Sequence, residues 1–379
     1  MKSYFIVVPD LFMIGAQRSA ILTAKEILKE GNKVTLIKMH RTNSITDDLP
    51  KNLKVEGIYA DKFWQRSILK YLYHSYLLAK KFYVYKPDYS ISIAPSANLV
   101  NLIANFFSVF KVKIICEEHM HLTQSKKTGR GSEWTLHWNA IHFFLVRLYK
   151  YCYKFRVVSL SAKDDFIKNW AVPKDKIFCL EPLIDNERIR RNLKTNSEKI
   201  IIPKEKNHIR FCSLGRLTTQ KDFELLINSF KKFLEKREGE LLIAGEGPEK
   251  ENLRNLIDNY KISRNCKLIG FVKNGDSFIR QADVFVLTSK WEGFPATLIE
   301  SLYIGTPVIA VDCYSGPKEL LEDKYGLLVN RSELEICNAM IKMNDDINLR
   351  NSFIDKGKKR ASEFLPSGNW KKYSKLICE

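Results

Sequence analysis

Two glutamates in the second half of the chain are spaced so that their carboxylates could bind a sugar. Glu292 follows a short apolar segment, and Glu300 lies eight residues further on, inside a predicted helix. Ionised carboxylates only accept hydrogen bonds, so the two side chains could hold hydroxyl groups of a sugar and of a ribose. The same residues could instead cap a turn and face solvent on a helix, and their spacing alone does not separate these interpretations.

The turn between the two glutamates predicts a phosphate site. Gly293, Phe294 and Pro295 precede a helix expected to begin at Ala296. The first N–H groups of a helix have no partner inside it, and the helix dipole adds positive character, so phosphate binds there readily. Pro295 has no N–H, which leaves Phe294, Ala296 and Thr297 as the predicted donors. A phosphate flanked by two hydroxyl-binding carboxylates matches the chemistry of a nucleotide sugar.

The strands and helices that position these residues can be predicted from the sequence, in which short β-branched segments alternate with longer helical patterns. This alternation is typical of βαβ units and parallel sheets, and it occurs in two series along the 379 residues. We therefore predict an α/β protein with two doubly wound, Rossmann-like domains. Ligands of such domains bind at the carboxyl ends of the strands, and we expect the active site in a cleft between the domains. The predicted first domain is 1–183, the linker is 184–208 and the second domain is 209–361.

The charge of the chain implies an anionic partner. Sixty-two Lys and Arg residues against 43 Asp and Glu give a net charge of +19, and most of the excess lies in residues 1–183. Nucleic acid, anionic lipid headgroups and phosphorylated small molecules all fit this excess. With 45% hydrophobic and 28% charged residues, the composition excludes a disordered or collagen-like chain.

Cysteine spacing and hydropathy predict a cytoplasmic protein. The eight cysteines are never closer than 24 residues, which excludes paired zinc ligands and indicates reduced thiols. The amino-terminal apolar run has no cleavage site, so we expect a strand rather than a signal peptide. The 22 uncharged residues 89–110 are long enough to span a membrane, but their Pro, Ser and Asn content favours a strand at 89–94 and a helix from Ser96.

The segment from Glu292 to Glu300, followed by S-L-Y-x-G-T-P-V-I, resembles the E-x7-E signature of the retaining family-4 glycosyltransferases, which have the GT-B fold. SLGRLTTQK resembles the family's G-R-L-x3-K turn, so Arg216 and Lys221 match the residues that hold the donor diphosphate. Two fixed cations at that place would stabilise the charge that develops on a leaving diphosphate. Without the neighbouring family motifs, Arg216 and Lys221 would be interpreted as ordinary surface charges.

Further segments resemble the family in the same order along the chain. AGEGP with Gly245 and IGFV with Val272 are similar to its strand-end loops around the nucleotide base. MIGAQRSA with Gly15 resembles its G-G-A-x-R loop, with Ile14 at the position of the first glycine. The resemblance also implies that a helix at 362–379 crosses back onto the first domain.

A histidine pair after a predicted strand is the candidate for the catalytic side. His119 matches the position where many relatives have a histidine near the transferred sugar, and His121 is the alternative. Glu118 could orient the ring or face the acceptor, and a purely structural histidine stays open. The resemblance thus assigns catalysis to His119 and Glu292, and donor binding to Gly15, Arg216, Lys221, Gly245, Val272, Glu292, Gly293, Phe294, Ala296, Thr297 and Glu300.

The resemblance implies a reaction that needs no metal and no other cofactor. The D-x-D triplet, which metal-dependent GT-A transferases use to bind a divalent ion, is absent from the sequence, and Arg216, Lys221 and a helix dipole could replace the cation. We expect transfer with retention of anomeric configuration from a nucleotide sugar, most simply a UDP-sugar. A nucleotide-sugar epimerase or hydrolase, and a non-catalytic membrane or nucleic-acid-binding protein, are the alternatives.

The basic first domain suggests where the acceptor lies. Residues 63–85 and 141–156 join Lys and Arg to aromatic residues in predicted helices, a mixture that suits an anionic membrane surface but also a helix with an aromatic core. No nucleic-acid recognition motif accompanies them. Residues 312–319, DCYSGPKE, resemble a segment of relatives that build bacterial surface polysaccharides. We expect a lipid-linked or glycan acceptor and a peripheral location on the inner face of the cell membrane.

Overall fold

The computed structural model describes residues 1–11, 15–41, 49–59, 69–127, 132–194, 203–205 and 208–378. Within these ranges, side chains are not described at 126–127, 132–138, 368 and 378. The chain forms two compact units. The first comprises Met1–Leu183 with Pro366–Glu379, and the second comprises Ile184–Leu365.

A parallel sheet is the centre of the first unit. Among the described residues it has seven strands in the order β3-β2-β1-β4-β5-β6-β7. The strands are β1 (Ser3–Val8), β2 (Lys33–Lys38), β3 (Lys54–Gly57), β4 (Tyr89–Ile93), β5 (Lys113–Glu118), β6 (Lys154–Val157) and β7 (Ile177–Cys179). The helices between them are α1 (Gly15–Lys29), α2 (Lys70–Tyr85), α3 (Pro95–Phe107), α4 (Leu122–Lys127), α5 (Ser132–Leu148) and α6 (Leu160–Asn169), with a short 3-10 helix at Tyr149–Tyr151.

Both faces of this sheet are buried, which explains the unbroken apolar strands. Along β1, Phe5 and Val7 lie in one hydrophobic core, whereas Tyr4 and Ile6 lie in another. Successive strand residues point to opposite faces, so a strand covered on both sides must be apolar at every position. This pattern is typical of a doubly wound parallel sheet, and the predicted α/β fold class is confirmed.

The second unit repeats the architecture. Its described part has a six-stranded parallel sheet in the order β10-β9-β8-β11-β12-β13. The strands are β8 (Ile209–Leu214), β9 (Gly239–Ala244), β10 (Cys266–Gly270), β11 (Val284–Leu287), β12 (Val308–Val311) and β13 (Leu327–Val329). The helices are α7 (Asn186–Lys194), α8 (Phe223–Leu234), α9 (Lys250–Asn259), α10 (Gly275–Arg280), α11 (Ala296–Ile304), α12 (Pro317–Leu321), α13 (Glu333–Asp345) and α14 (Ile347–Ser362).

The last helix, α15 (Pro366–Cys378), is part of the first unit. Trp370 and Tyr373 are buried in the same core as β1. The indole N–H of Trp370 donates to Glu30 Oε1 at 2.6 Å, and the Tyr373 hydroxyl donates to Glu117 Oε1. These bonds and the buried rings fix the end of the chain to a sheet made almost entirely from its first half.

Several predicted segments differ from the observed elements. The helix predicted over residues 141–156 ends earlier, because Lys154–Val157 pairs with β5 as β6. In the segment 184–208, predicted as a linker, the structure has α7, which belongs to the second unit. For the 22 uncharged residues, the structure has β4 and then α3, which confirms a strand followed by a helix. Among the described residues, no helix is both long enough and apolar enough to cross a bilayer.

Buried His74 on α2 is a source of instability in the first unit. Its side chain is 1% exposed, and neither ring nitrogen has a hydrogen-bond partner among the described residues. Burial, together with nearby His40 and Lys70, lowers the pKa of His74 to about 4. Between that pH and 6.5 the unfolded chain binds a proton that the folded chain does not, so stability falls as the pH drops.

We expect His74→Leu to raise the free energy of unfolding by about 1 to 2 kcal/mol at pH 7, because two buried polar atoms without partners are removed at similar volume. Urea unfolding measured between pH 7 and pH 4 tests this. The variant should lose less stability than the parent over that interval. Equal stability and an equal pH dependence would contradict the assignment.

Candidate functional site

The loops after β8 and β11 meet where the strand order of the second unit reverses. These two strands pair directly, and adjacent loops at such a reversal diverge to opposite faces and leave a crevice for a ligand. Lys221 follows β8 and Glu292 follows β11, and Lys221 Nζ lies 2.6 Å from Glu292 Oε1. The hydroxyl of Ser289 donates to the same oxygen at 2.6 Å. Two predicted site residues, 71 positions apart, are thus in contact.

Both of these bonds end on Oε1 of Glu292, and its second carboxylate oxygen takes part in neither. Backbone contacts keep the side chain in place. The Glu292 N–H donates to Tyr314 O at 2.9 Å, and the Gln220 side chain donates to Trp291 O at 3.0 Å. The Lys290 N–H in turn donates to Gln220 O at 2.8 Å, so the loops after β8 and β11 hold each other.

The N-terminus of α11 lies directly after this loop. The first intrahelical bond runs from Leu298 N to Pro295 O at 3.0 Å, so the N–H groups of Ala296 and Thr297 precede the hydrogen-bonded ladder. The N-cap residue, Pro295, makes no side-chain capping bond, and Ala296 and Thr297 are half-buried. The arrangement offers N–H donors and the positive end of a helix dipole to an anion.

Gly316 holds the turn in front of α11. Its φ is +90°, and a Cβ there would lie 2.6 Å from Pro295 Cδ and 2.9 Å from Phe294 Cα. Only glycine fits this conformation and this distance. The segment 312–319, whose sequence resembles a polysaccharide-type motif, therefore packs against the turn that contains Gly293, Phe294 and Pro295.

Glu300 lies one and a half turns into α11 and is tied to the start of the second unit. Its Oε1 accepts from Arg188 of α7 at 2.6 Å, and the other arm of the guanidinium donates to Asp276 Oδ2 at 2.5 Å. Asn192 adds a bond to the same Asp276 oxygen at 2.7 Å. All three charged side chains are buried. Arg188 is therefore a positioning residue for Glu300.

Glycine backbones form the rest of this strand-end region. Gly245 follows β9 with a φ of +146°, and a Cβ there would lie 1.8 Å from Gly215 O. Its N–H donates to Gly270 O at 2.8 Å, which joins the loops after β9 and β10. Val272, two residues beyond, is buried. Of the predicted donor-binding residues, Arg216 is the one with an exposed side chain in this region.

In the first unit, the strand-end residue His119 is held by a buried carboxylate. Glu117 Oε2 lies 3.2 Å from His119 Nε2 and 3.0 Å from an Arg156 nitrogen, and Glu117 Oε1 accepts from Tyr373. Burial alone would raise the pKa of Glu117, but Arg156, His119 and Tyr373 outweigh it and lower the value to about 2. Glu117 is therefore ionised and accepts the Nε2 proton of His119.

The charge state of His119 follows from the same contacts. Burial is the main cause that lowers its pKa, Arg156 lowers it further, and Glu117 opposes both. The ring is therefore neutral at pH 7. With Nε2 donating to Glu117, Nδ1 is the acceptor nitrogen.

Glu118 and His121 have other partners. Glu118 points to the opposite face of β5, where Asn98 donates to its Oε1 at 2.7 Å and Tyr149 at 3.2 Å. Burial raises the pKa of Glu118 well above its usual range, in the opposite direction to the shift of Glu117. His121 Nδ1 lies 3.3 Å from Asp165 Oδ2. Glu117, rather than Glu118, orients His119.

The predicted site residues form groups within each unit. In the second unit, Arg216, Lys221, Gly245, Val272, Glu292, Gly293, Phe294, Ala296, Thr297 and Glu300 follow strand ends or lie on α11. In the first unit, Gly15 begins α1 with an exposed backbone and His119 follows β5. Sequence reasoning missed Arg188, Asp276, Ser289 and Glu117. The mixture of Arg and Asn residues in α7 could have pointed to Arg188, but this segment resembled a charged linker.

Both the sequence and the fold are similar to those of known proteins. Residues 194–360 match the family model "Glycosyl transferases group 1". An uncharacterized glycosyltransferase of Methanocaldococcus jannaschii is 28% identical over 79% of this chain and 81% of its own. A Campylobacter jejuni α-1,4-N-acetyl-D-galactosaminyltransferase is 26% identical over 100% of this chain and 99% of its own. The solved Anabaena protein HepE, in complex with UDP and glucose, superposes with a TM-score of 0.79 at 14% identity over the whole of both chains.

Residues 194–360 are thus similar to the group 1 glycosyltransferases, and the chain has the GT-B fold; at the level of family model and fold, the resemblance seen in the sequence is confirmed. The matched residues 194–360 contain the Lys221–Glu292 pair and Glu300.

The contacts of Arg188 predict a large effect of its removal. Arg188→Met leaves Asp276 and Glu300 buried without their cation, and breaking a buried ion pair in this way costs about 3 kcal/mol. We expect that loss in the free energy of urea unfolding.

Arg190→Met is the matched control, because Arg190 is exposed on the same helix and, within the described part of the chain, donates to the Tyr303 hydroxyl at 2.9 Å. It should change stability by less than about 0.5 kcal/mol. Equal effects of the two substitutions would show that the buried contacts of Arg188 are not what stabilises this region.

Proposed function

We propose that the protein transfers a hexose or an N-acetylhexosamine from a UDP-sugar to a lipid-linked or polysaccharide acceptor, with retention of anomeric configuration. The observation that carries the proposal is the Lys221–Glu292 ion pair at the strand reversal, next to the N-terminus of α11. A cation and helix N–H groups suit a diphosphate, and a carboxylate beside them suits a sugar hydroxyl.

Each donor residue has a role in this proposal. Lys221 and exposed Arg216 neutralise the diphosphate, together with the N–H groups at the start of α11. Glu292 accepts from a hydroxyl of the transferred sugar through its second carboxylate oxygen. Glu300, oriented by Arg188, accepts from the ribose hydroxyls.

The base and the phosphates have further contacts in this proposal. The strand-end loops of Gly245 and Val272 surround the nucleotide base, and Gly15 in the first unit faces the donor phosphates. The glycine at 245 suits this role because it permits a close backbone approach.

The reaction proceeds on one face of the transferred sugar. The bond from C1 to the diphosphate oxygen breaks, the acceptor oxygen forms the new bond to C1 on the same face, and the leaving phosphate takes the acceptor's proton. Neutral His119 contacts the transferred sugar through Nδ1, because Glu117 holds Nε2. As the donor binds, Lys221 exchanges Glu292 for the diphosphate. Its positive charge then stabilises the negative charge that grows on the diphosphate as the bond to C1 breaks.

The acceptor class rests on the relatives. The Campylobacter jejuni enzyme is named for a glycan linked to undecaprenyl diphosphate, and another relative, from Escherichia coli, is named for O-antigen biosynthesis. We extend these to a lipid-linked or glycan precursor of a surface polysaccharide, such as a lipopolysaccharide or a capsule. The protein then works as a peripheral enzyme at the inner face of the cell membrane.

We expect Lys221→Met and Glu292→Gln each to lower donor turnover at least ~100-fold, the usual effect of removing one group that stabilises transition-state charge. The assay measures UDP release from a panel of UDP- and GDP-sugars with undecaprenyl-diphosphate-linked acceptors, and NMR of the product gives its anomeric configuration. Lys231→Met and Glu251→Gln are the controls, since these side chains are 42% and 69% exposed and neither belongs to the proposed site. Full turnover in the site variants would overturn the site. Acceptor-independent donor consumption would point to an epimerase or a hydrolase.

We also expect turnover to be unchanged by EDTA, because Lys221, Arg216 and α11 supply the positive charge that a divalent ion supplies in D-x-D enzymes. The measurement is UDP release before and after chelation. A loss of turnover that Mg²⁺ or Mn²⁺ restores would contradict this expectation.

A further inference from the structure

The outer side of α2 is apolar, although no described part of its own unit covers it. Tyr71, His74, Ser75, Leu78 and Phe82 form the buried side of this helix. A helix packed on one side usually has a polar outer side. Here the opposite side consists of Leu69, Leu72, Tyr76, Lys80 and Tyr83 at helical spacing, and all of them are exposed.

Two neighbouring helices extend this surface. Helix α2 packs against α3, and α3 packs against α5. The end of α3 exposes Phe106 (70%), Phe107 (65%) and, just beyond the helix, Val109 (90%). Helix α5 and the 3-10 turn expose Phe143, Phe144 and Tyr151. We call this set of exposed apolar residues on α2, α3 and α5 the aromatic surface.

The aromatic surface is positively charged. Segments 69–87, 94–112 and 139–154 contain no Asp or Glu. Their cations sit over the exposed rings: Lys80 Nζ lies 4.5 Å from the Tyr76 ring centroid, and Arg147 Cζ lies 3.6 Å from that of Phe143. Rings and cations are thus presented together, an arrangement in which the aliphatic stems cover apolar surface while the charges reach outward.

Lys111 holds the end of α3, which is the most exposed part of the aromatic surface. Its Nζ donates to the carbonyls of Asn105, Phe106 and Ser108 at 2.9, 3.1 and 2.9 Å. These carbonyls end α3 and would otherwise need water. Because Lys111 satisfies these carbonyls, moving Phe106, Phe107 and Val109 out of water costs less free energy, since no unpaired carbonyl is buried with them.

We propose that the aromatic surface docks the first unit on an anionic lipid bilayer, with Phe106, Phe107 and Val109 in the headgroup region and the surrounding Lys and Arg side chains on the lipid phosphates. Aromatic rings with Lys and Arg are the composition that prefers the membrane–water interface. The choice of a bacterial-type membrane rests on the proposed function, whereas the docking itself depends only on this surface.

Vesicle sedimentation tests the docking. The whole protein is mixed with vesicles of phosphatidylcholine alone or of phosphatidylcholine with phosphatidylglycerol. We expect binding to the mixed vesicles that weakens with salt, and a loss of at least ~10-fold in affinity for the triple variant Phe106→Ser/Phe107→Ser/Val109→Ser, since each removes apolar area. Thermal unfolding should be unchanged in that variant because the three side chains are exposed.

A matched control replaces exposed apolar residues of the second unit. Leu334→Ser/Ile347→Ser removes two side chains that are 57% exposed and should bind vesicles like the parent. Lys80→Glu/Lys150→Glu should abolish the preference for phosphatidylglycerol.

Four outcomes would overturn the proposal: equal binding by parent and triple variant, no binding by the parent, tighter binding of single-stranded RNA than of vesicles, or a parent dimer that the triple variant converts to a monomer.

The two proposals fail separately. Turnover of a short water-soluble acceptor analogue should be the same in the parent and in the triple variant. Vesicle binding without any transfer would remove the proposed function and leave the docking surface standing, whereas transfer without vesicle binding would do the reverse.

Discussion

The strand order of the two sheets is the constraint on which the rest of the structure depends. Both sheets run outward in two directions from a first strand, β1 in one and β8 in the other. Connections of parallel strands are right-handed, so loops on the two sides of that reversal turn to opposite faces. Lys221 and Glu292, far apart in sequence, meet because β8 and β11 are neighbours. The strand order therefore determines where the site lies, and the side chains determine what it can bind.

Ion pairs within each unit then give the strand-end groups fixed directions. Lys221 with Glu292, Arg188 with Glu300 and Asp276, and Arg156 with Glu117 are all largely buried. Buried pairs of this kind contribute little net stability compared with apolar residues of the same volume. Their value lies in orientation, because a buried carboxylate with two or three donors has one available position. The large net charge of the chain has a different origin, in exposed lysines and arginines.

The sequence was sufficient for the fold class and for the position of most site residues relative to strands, because apolar alternation and glycine turns are local signals. It was not sufficient for Arg188 or Glu117. Arg188 lies in a charged, polar segment whose helix is stabilised by contacts with α10 and α11, and no local pattern reports such contacts. Glu117 and Glu118 are chemically the same and adjacent, and only the two faces of β5 distinguish the carboxyl whose pKa is lowered from the one whose pKa is raised. The helix predicted over residues 141–156 was wrong at its end because pairing with β5 outweighed the local helical pattern.

The return of α15 to the first unit has a consequence for the order of folding during synthesis. Glu117 and Tyr373 are separated by 256 residues, so the ribosome completes the whole second unit before the hydroxyl that satisfies Glu117 exists. At the usual rates of translation, domains fold as they emerge. The first unit must therefore wait without Trp370 and Tyr373 in its core, and with Glu117 one donor short, while the second unit is made. Its last stabilising contacts form only after the rest of the chain has been synthesised.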